Sequence, residues 1–245
     1  MAGRLRVAAD AVLAVLLAPA CAACERSLEE PTAGPVCPAC WARIVSFIPP
    51  LCRHCGDPLP SWRVISVEAS SCARCRRSPS AISRTRAVGA YDGTLRAIVH
   101  ALKYGSRRSL AAPLALLMRR ECAYALDGAD VLVPVPLHPR RQRTRGFNQA
   151  RELAEGLGLP VMPVLERTRY TPSQTDLPAA RRHANVRDAF RLRRRAEVRG
   201  LRAVLVDDVC TTGATLEACA RVLRDAGAAD VSAVTAARVV SRPRE

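Results

Sequence analysis

The chain has 245 residues, of which 49% are hydrophobic and 4% aromatic. That is enough apolar material for one hydrophobic core and a smaller module, and it excludes an aromatic-rich core, so Val, Leu and Ala must fill it. A net charge of +16 favours polyanionic partners, either nucleic acid or phosphorylated compounds. Lys103 is the only lysine among the 38 basic residues, which indicates a bias in codon composition rather than selection for DNA.

Residues 1–20 predict an N-terminal helix that packs its apolar side on the domain behind it. Two arginines followed by the apolar run Ala11–Ala18 also imitate a secretory signal peptide. However, Asp10 interrupts the apolar segment, and cleavage after Ala20 would leave Cys21 at the new terminus. The uncharged run is too short to span a bilayer, and no other segment approaches transmembrane length. We therefore expect a cytoplasmic protein.

Residues 21–78 carry eight of the eleven cysteines in four Cys-x-x-Cys pairs: Cys21/Cys24, Cys37/Cys40, Cys52/Cys55 and Cys72/Cys75. Two thiolates at this spacing can share one tetrahedral zinc ion, so the four pairs predict a double zinc ribbon with two four-cysteine sites. The simplest pairing is sequential, but a cross-braced arrangement also satisfies the spacing. The alternative is a disulfide framework, which is disfavoured in a cytoplasmic chain. Because four protein ligands complete each site, we assign the zinc a structural role.

In residues 79–245, predicted strands alternate with predicted helices, which indicates an α/β fold with a parallel sheet flanked by helices. The apolar patterns predict strands at 85–91, 131–135, 161–165, 204–206 and 231–239, and helices at 94–104, 110–125, 147–157 and 216–225. Residues 167–195 show little apolar periodicity and many basic residues, so we expect a mobile segment that covers a substrate. A disordered linker is the alternative there. Ligands of such sheets bind at the carboxyl ends of the strands.

The segment after the 131–135 strand places four arginines and Gln142 before the next predicted helix; the arginines are Arg140, Arg141, Arg143 and Arg145. Pyrophosphate needs multidentate donors, and arginine side chains supply them. The alternative is a solvated basic loop with no ligand.

The stretch Ala203–Thr215 is the most specific motif in the chain. An apolar strand leads into adjacent carboxylates, Asp207 and Asp208, and then into a small, hydroxyl-rich turn that opens a helix. The first amides of a helix lack internal partners and attract anions, whereas carboxylates suit sugar hydroxyls or Mg²⁺. A phosphate site beside a hydroxyl site describes a ribose 5-phosphate. An ordinary strand–turn–helix with an acidic turn is the alternative.

This stretch resembles the binding motif for phosphoribosyl pyrophosphate (PRPP) in type I phosphoribosyltransferases. Further motifs make nearly the whole chain similar to the ComF/GntX family: the cysteine pairs, Leu102–Tyr104, Arg141 with Arg145–Ala150, residues 174–181 and residues 185–190. That family is described as phosphoribosyltransferase-like. Several members are linked to DNA uptake during natural transformation, where they act beside a helicase-like partner.

The resemblance implies a pocket for PRPP and Mg²⁺ in which an acceptor displaces pyrophosphate from C1 of the ribose. Asp207 and Asp208 would hold the ribose hydroxyls, directly or through magnesium. Arg181, on the mobile segment, would close over the leaving group. The 5-phosphate would bind Thr211, Thr212, Gly213, Ala214 and Thr215, and the pyrophosphate Arg141, Arg145 and Lys103.

The resemblance does not identify the acceptor. Salvage enzymes for hypoxanthine and guanine place an aspartate where Thr211 stands, to handle the proton of the purine, so a 6-oxopurine acceptor is disfavoured. Three hypotheses follow: an active phosphoribosyltransferase with an unidentified acceptor, a PRPP-sensing domain without turnover, and an adaptor that handles single-stranded DNA. The adaptor would use the zinc module and the basic surface.

Overall fold

The computed structural model describes residues 2–59, 70–105, 107–169 and 188–240, and the side chains from residue 6 onward. The helices in these ranges are α1 Ala2–Leu17, α2 Pro38–Ala42, α3 Ala73–Arg77, α4 Gly93–Tyr104, α5 Ala111–Glu121, α6 Ala123–Leu126, α7 Pro139–Arg145, α8 Gln149–Glu155 and α9 Ala214–Asp225. The strands are β1 Thr85–Ala90, β2 Val131–Pro134, β3 Leu165–Arg167, β4 Phe190–Leu192, β5 Arg202–Cys210 and β6 Asp230–Arg238. None of these helices is long and apolar enough to cross a membrane.

Four strands form a parallel sheet in the order β1-β6-β5-β2. Both faces of this sheet are covered, which is why its strands read as continuous apolar runs. Helices α4, α5 and α8 pack on one face, and α9 packs on the other together with the β3–β4 ribbon. The predicted parallel α/β fold flanked by helices is therefore confirmed.

Two predicted elements differ from those observed. The prediction of a strand at 161–165 is wrong, because within this range only Val161 forms a bridge with β2. Pro160 and Pro163 lack the amide hydrogens that a longer ladder of hydrogen bonds would need. The chain becomes a strand only at β3, which pairs antiparallel with β4. The helix expected at 110–125 is interrupted at Cys122, whose φ of −105° and ψ of 14° leave the helical region.

The arginine-rich segment after β2 is not a loop, because most of it forms helix α7. Pro139 occupies the first turn, where a missing amide hydrogen costs nothing. The ring of His138 accepts a hydrogen bond from the Arg140 amide, and Gly146 ends the helix at a φ of +78°. Arg141 and Arg145 therefore lie one helical turn apart on a fixed element.

Helix α1 does not pack an apolar side on the domain, contrary to expectation. Val12, Val15 and Leu16 are exposed, whereas the buried Asp10 accepts a hydrogen bond from the Thr32 amide at 2.8 Å. Arg6 also donates to the Thr32 hydroxyl at 3.1 Å, so α1 meets the first cysteine-containing unit through polar contacts to Thr32.

The cysteine pairs lie in two similar units, the first lobe (residues 19–44) and the second lobe (residues 50–59 and 70–77). The second lobe and the segment that follows the first lobe both contact β1, the edge strand of the sheet. Ser46, just after the first lobe, forms an antiparallel bridge with Gly89, and the Thr85 amide donates to the His54 carbonyl of the second lobe at 2.5 Å. An uncovered edge strand invites pairing with other chains, and here the two lobes flank it.

Candidate functional site

Each lobe brings four cysteine sulfur atoms together, all within 4.8 Å of one another. The first lobe holds Cys21, Cys24, Cys37 and Cys40, and the second holds Cys52, Cys55, Cys72 and Cys75. The sulfurs of Cys24 and Cys37 are 3.9 Å apart, close to the edge of about 3.8 Å expected for a tetrahedron with Zn–S bonds of 2.3 Å. The pairing is sequential, and the donors fit zinc. With four protein ligands, such an ion holds the chain together and leaves no position open for substrate.

The two lobes contain the same hydrogen bonds around their first cysteine pairs, and equivalent residues are 31 positions apart in the sequence. The amide of the first cysteine binds the carbonyl five residues later at 2.8 Å, at Cys21–Arg26 in one lobe and at Cys52–Asp57 in the other. The amide of the third cysteine also donates to the sulfur of the first at 3.3 Å in both lobes. Arg26 and Asp57 therefore occupy equivalent positions with opposite charge.

A separate pocket lies at the carboxyl ends of β1, β2 and β5. It is lined by Tyr91, Lys103, Tyr104, Val135, Pro136, Leu137, Arg141, Arg145, Asn148, Gln149, Ala150, Arg167, Asp207, Asp208, Val209, Thr211 and Thr215. Most residues that the family resemblance assigned to PRPP thus line one pocket, whereas Thr212, Gly213 and Ala214 belong to the adjoining turn and are not among its lining residues. Arg181 lies outside the described residues.

The two carboxylates and Lys103 form the charged floor of the pocket. Lys103, on α4, places its Nζ 3.0 Å from the carboxylate of Asp208, which is 7% exposed. Burial alone would lower the pKa of Lys103, but the charges of Asp208 and Asp207 outweigh it and raise that pKa. Burial and the neighbouring Asp208 charge raise the pKa of Asp207 to about 7. Lys103 thus neutralises one carboxylate, and the other holds a proton easily.

The turn after β5 follows the pattern expected of an anion site. Gly213 has a φ of +82° and caps α9, and Glu217 donates its amide back to the Gly213 carbonyl at 2.9 Å. The hydroxyl of Thr212 accepts a hydrogen bond from the Ala214 amide at 3.4 Å. Thr211 and Thr215 line the pocket on either side of this turn. We call residues Thr211–Thr215 the phosphate turn.

Arginines from two elements face the phosphate turn across the pocket. Arg141 and Arg145 come from α7, and Arg167 comes from β3. The guanidinium of Arg145 lies 5.0 Å from the ring centre of Tyr104 and donates to Gln149 Oε1 at 3.2 Å. The pocket therefore carries positive charge from several directions, as a multiply charged anion requires.

Gln149 is a pocket residue that the sequence placed in the first turn of a helix but to which it assigned no ligand. It is 1% exposed, and its Nε2 has no hydrogen-bond partner among the residues that the structure describes. A buried amide hydrogen without a partner is costly. The signal in the sequence is weak, because a glutamine in the first turn of a helix is ordinary.

Tyr91 and Tyr104 bring aromatic rings to the pocket, although the sequence showed no aromatic cluster for stacking a base. They come from the end of β1 and the end of α4, thirteen positions apart, so no local pattern joins them. The Lys103 Nζ lies 6.0 Å from the ring centre of Tyr91.

Comparison with known proteins matches both parts of the chain. Residues 142–245 match the family described as phosphoribosyl transferase domain, and residues 12–76 match the double zinc ribbon domain. The chain is 37% identical over 206 residues to the DNA utilization protein YhgH of Salmonella typhimurium, covering 80% of this chain and 87% of that protein.

Two further relatives carry competence in their names. Competence protein F of Haemophilus influenzae is 31% identical over 222 residues, covering 86% of this chain and 93% of the relative. Competence protein ComFC of Bacillus subtilis is 30% identical over 205 residues, covering 83% and 84%. The similarity thus extends over both the lobes and the sheet.

Proposed function

Because the chain belongs to the ComF/GntX family of phosphoribosyltransferase-like proteins with a double zinc ribbon, we propose that it binds PRPP and transfers the phosphoribosyl group to an acceptor. The observation that carries this proposal is that three chemically different groups line the same pocket at the strand ends. There, paired carboxylates, a phosphate turn and an arginine-rich wall face one another. Each of these three groups suits one part of PRPP: the ribose hydroxyls, the 5-phosphate and the pyrophosphate.

The chemistry requires little covalent participation by the protein. A nucleophilic atom of the acceptor forms a bond to C1 of the ribose while the bond from C1 to the pyrophosphate oxygen breaks. The acceptor loses a proton, and pyrophosphate leaves with the bonding electrons. Arg141 and Arg145 stabilise the charge that develops on the leaving group, and the phosphate turn fixes the ribose. Arg181 is proposed to close over the leaving group.

Magnesium fits beside Asp207. This carboxylate shares a buried pocket with Asp208, and Lys103 pairs with Asp208, so a cation at Asp207 would compensate its charge. Carboxylate oxygens are ligands that Mg²⁺ accepts. When bound, the ion would neutralise part of the charge of the pyrophosphate.

The acceptor is proposed to be something other than a 6-oxopurine. Thr211 lines the pocket where a carboxylate would be needed to handle the proton of such a base. Tyr91 and Tyr104 offer aromatic surface beside the site, so a planar acceptor remains compatible with it.

Calorimetric titration of the zinc-loaded protein with PRPP and Mg²⁺ tests binding, and pyrophosphate release with candidate acceptors tests transfer. We expect the double variant Asp207→Asn/Asp208→Asn to weaken PRPP binding at least tenfold, about 1.4 kcal/mol. Asp225→Asn, at the far end of α9, is a matched control. Absence of PRPP binding by the unaltered protein would contradict the proposal. Binding without pyrophosphate release across acceptor classes would replace transfer by PRPP sensing.

A second candidate function, handling of single-stranded DNA, is favoured by the names of the relatives and by the net charge of +16. The helicase-like partner implied by family resemblance belongs to this candidate, as does a cytoplasmic location. Binding of single strands should weaken steeply with salt and survive the Asp207→Asn/Asp208→Asn change, because phosphate contacts dominate it. Fluorescence anisotropy with a labelled oligonucleotide measures this. Affinity that is independent of salt would argue against a DNA-handling role.

A further inference from the structure

The second lobe is linked to the phosphate turn by side chains, whereas the described residues show no such link from the first lobe. Asp57 lies two residues after the zinc ligand Cys55, at the position that Arg26 occupies in the first lobe. Its carboxylate forms an ion pair with Nε of Arg238, the last residue of β6. At this repeated position, an ion pair with an arginine of the sheet is therefore seen, among the described residues, for the second lobe alone.

Arg238 continues the link to the start of the phosphate turn. Its Nη1 donates to the sulfur of Cys210 at 3.3 Å, and Cys210 directly precedes Thr211. The carbonyl of Cys210 also accepts a hydrogen bond from the amide of Val239 at 2.9 Å. Both the side chain and the backbone of Cys210 are thus held by the end of β6.

The environment of Arg238 makes Asp57 difficult to replace. The side chain of Arg238 is 3% exposed, and a buried guanidinium without a carboxylate partner is strongly unfavourable. Asp57 also pairs with Arg74, which lies between two ligands of the same lobe, at 3.4 Å. Asp57 follows the first cysteine pair of the lobe and contacts an arginine within the second pair. Its position therefore depends on both pairs being folded together.

We propose that Asp57 and Arg238 are positioning residues through which the second lobe, when it holds zinc, fixes the shape of the phosphate turn. The binding half of this inference rests on the proposed function, since it takes the turn to bind a ribose 5-phosphate group. Coupling between two sites is reciprocal. Zinc in the second lobe strengthens ligand binding by some factor. A ligand in the pocket must then raise the zinc affinity of the second lobe by the same factor.

The test uses the full-length, zinc-loaded protein and the variant Asp57→Asn, with Asp10→Asn as the matched control. Asp10 is also an aspartate whose carboxylate anchors a lobe, but its contacts are with Thr32 and Arg6, and no described residue links it to the sheet. We expect Asp57→Asn to weaken binding of ribose 5-phosphate about tenfold and Asp10→Asn to change it less than twofold.

A second measurement reports on the turn without any ligand. Cys210 and Cys219 are both buried thiols on the same face of the sheet, but only Cys210 contacts Arg238. Alkylation followed by mass spectrometry should show labelling of Cys210 rising at least tenfold in Asp57→Asn, with Cys219 unchanged. Affinity and labelling both unchanged in this variant would overturn the proposal.

Two results separate this inference from its premise. If the unaltered protein binds no ribose 5-phosphate, the proposed function fails, but the labelling of Cys210 still decides whether Asp57 positions the turn. If Asp57→Asn loses zinc or unfolds, the unaltered protein decides instead. A chelator then removes zinc with and without ribose 5-phosphate, and alkylation of the released cysteines identifies the lobe. Protection confined to the second lobe supports the proposal, and equal rates overturn it.

Discussion

The two lobes share a backbone but attach to the sheet by different forces. Cys21, Leu28 and Val36 of the first lobe belong to the same hydrophobic cluster as helices α4 and α5. The second lobe is held by buried charges, because Arg86 donates to the Cys52 carbonyl and Arg238 pairs with Asp57. Apolar contact tolerates small shifts, whereas buried ion pairs require a defined geometry. The difference teaches that a duplicated module can serve as a hydrophobic cover in one copy and as a geometric constraint in the other.

Substitution of one zinc ligand should give the largest difference in stability and ligand affinity between the two lobes. We expect Cys24→Ser and Cys55→Ser each to lose one of two zinc ions. Cys55→Ser should also lower the free energy of unfolding by about 3 kcal/mol or more, because Arg86 and Arg238 lose their acceptors. Metal analysis and urea denaturation measure both effects. Equal loss of ribose 5-phosphate affinity in the two variants would show that the lobes are equivalent.

Substitution of one arginine at each attachment should give the next largest difference. Arg86 is 9% exposed, donates to the carbonyls of Cys52 and Thr85 at 3.2 and 2.7 Å, and lies 4.5 Å from the ring centre of Tyr124. Arg107 makes one hydrogen bond of 3.5 Å to Pro35 of the first lobe. We expect Arg86→Met to cost about 2–3 kcal/mol of unfolding free energy and Arg107→Met less than about 0.5 kcal/mol, by urea denaturation. Similar losses of unfolding free energy in the two variants would contradict the view that the lobes attach to the sheet by different forces.

A smaller contrast concerns how well each lobe tolerates substitution at the residue that precedes Arg26 or Asp57. Glu25 and Gly56 both have positive φ, +61° and +72°, but a Cβ on Gly56 would lie 2.6 Å from the Thr85 carbonyl oxygen. Gly56→Ala should therefore cost about 2 kcal/mol, whereas Glu25→Gly should stay within about 1 kcal/mol of the unaltered protein. Thermal unfolding of zinc-loaded samples checks this. Tolerance of alanine at position 56 would mean that the second lobe is loosely docked.

The smallest expected effect concerns a group that belongs to neither lobe. Asp207 has a pKa of about 7, above its ordinary 3.8, so between these values the folded state keeps a proton that the unfolded state has lost. Stability therefore falls as pH rises through this window and levels off above pH 7. Between pH 5 and 7 we expect Asp207→Asn to flatten the fall by about 1 kcal/mol per pH unit. Asp57→Asn should leave this pH dependence unchanged. Urea denaturation at each pH measures it, and a changed slope in Asp57→Asn would show that the second lobe acts on the carboxylates.

Local patterns accounted for much of the fold and for the charged and hydroxyl-bearing residues of the pocket on α7 and after β5. The cysteine spacing predicted both zinc sites, and the run from Val204 to Thr215 predicted a strand, a turn and a helix whose order the structure bears out. Such patterns succeed because each depends on residues that are near in sequence. Proline at 163 was the local signal that should have shortened the predicted strand there.

Contacts between distant residues could not be predicted in the same way. Arg238 and Asp57 are 181 positions apart, and nothing in either local sequence indicates a partner. The choice between sequential and cross-braced zinc pairing likewise depends on how the lobes pack, since the spacing allows both. Lys103 attracted attention as the only lysine, but its ion pair with Asp208 arises from the packing of α4 on β5.

The order of strands in the sheet has a consequence for synthesis of the chain. β1 pairs with β6 alone among the strands of the sheet, yet more than half of the chain is made between them. At ribosomal rates β1 waits on the order of ten seconds for that partner. The lobes emerge first and gain folding free energy from metal binding, so they can occupy the free side of β1 during this interval. Zinc supply at the ribosome would then influence how much of the newly made protein escapes aggregation.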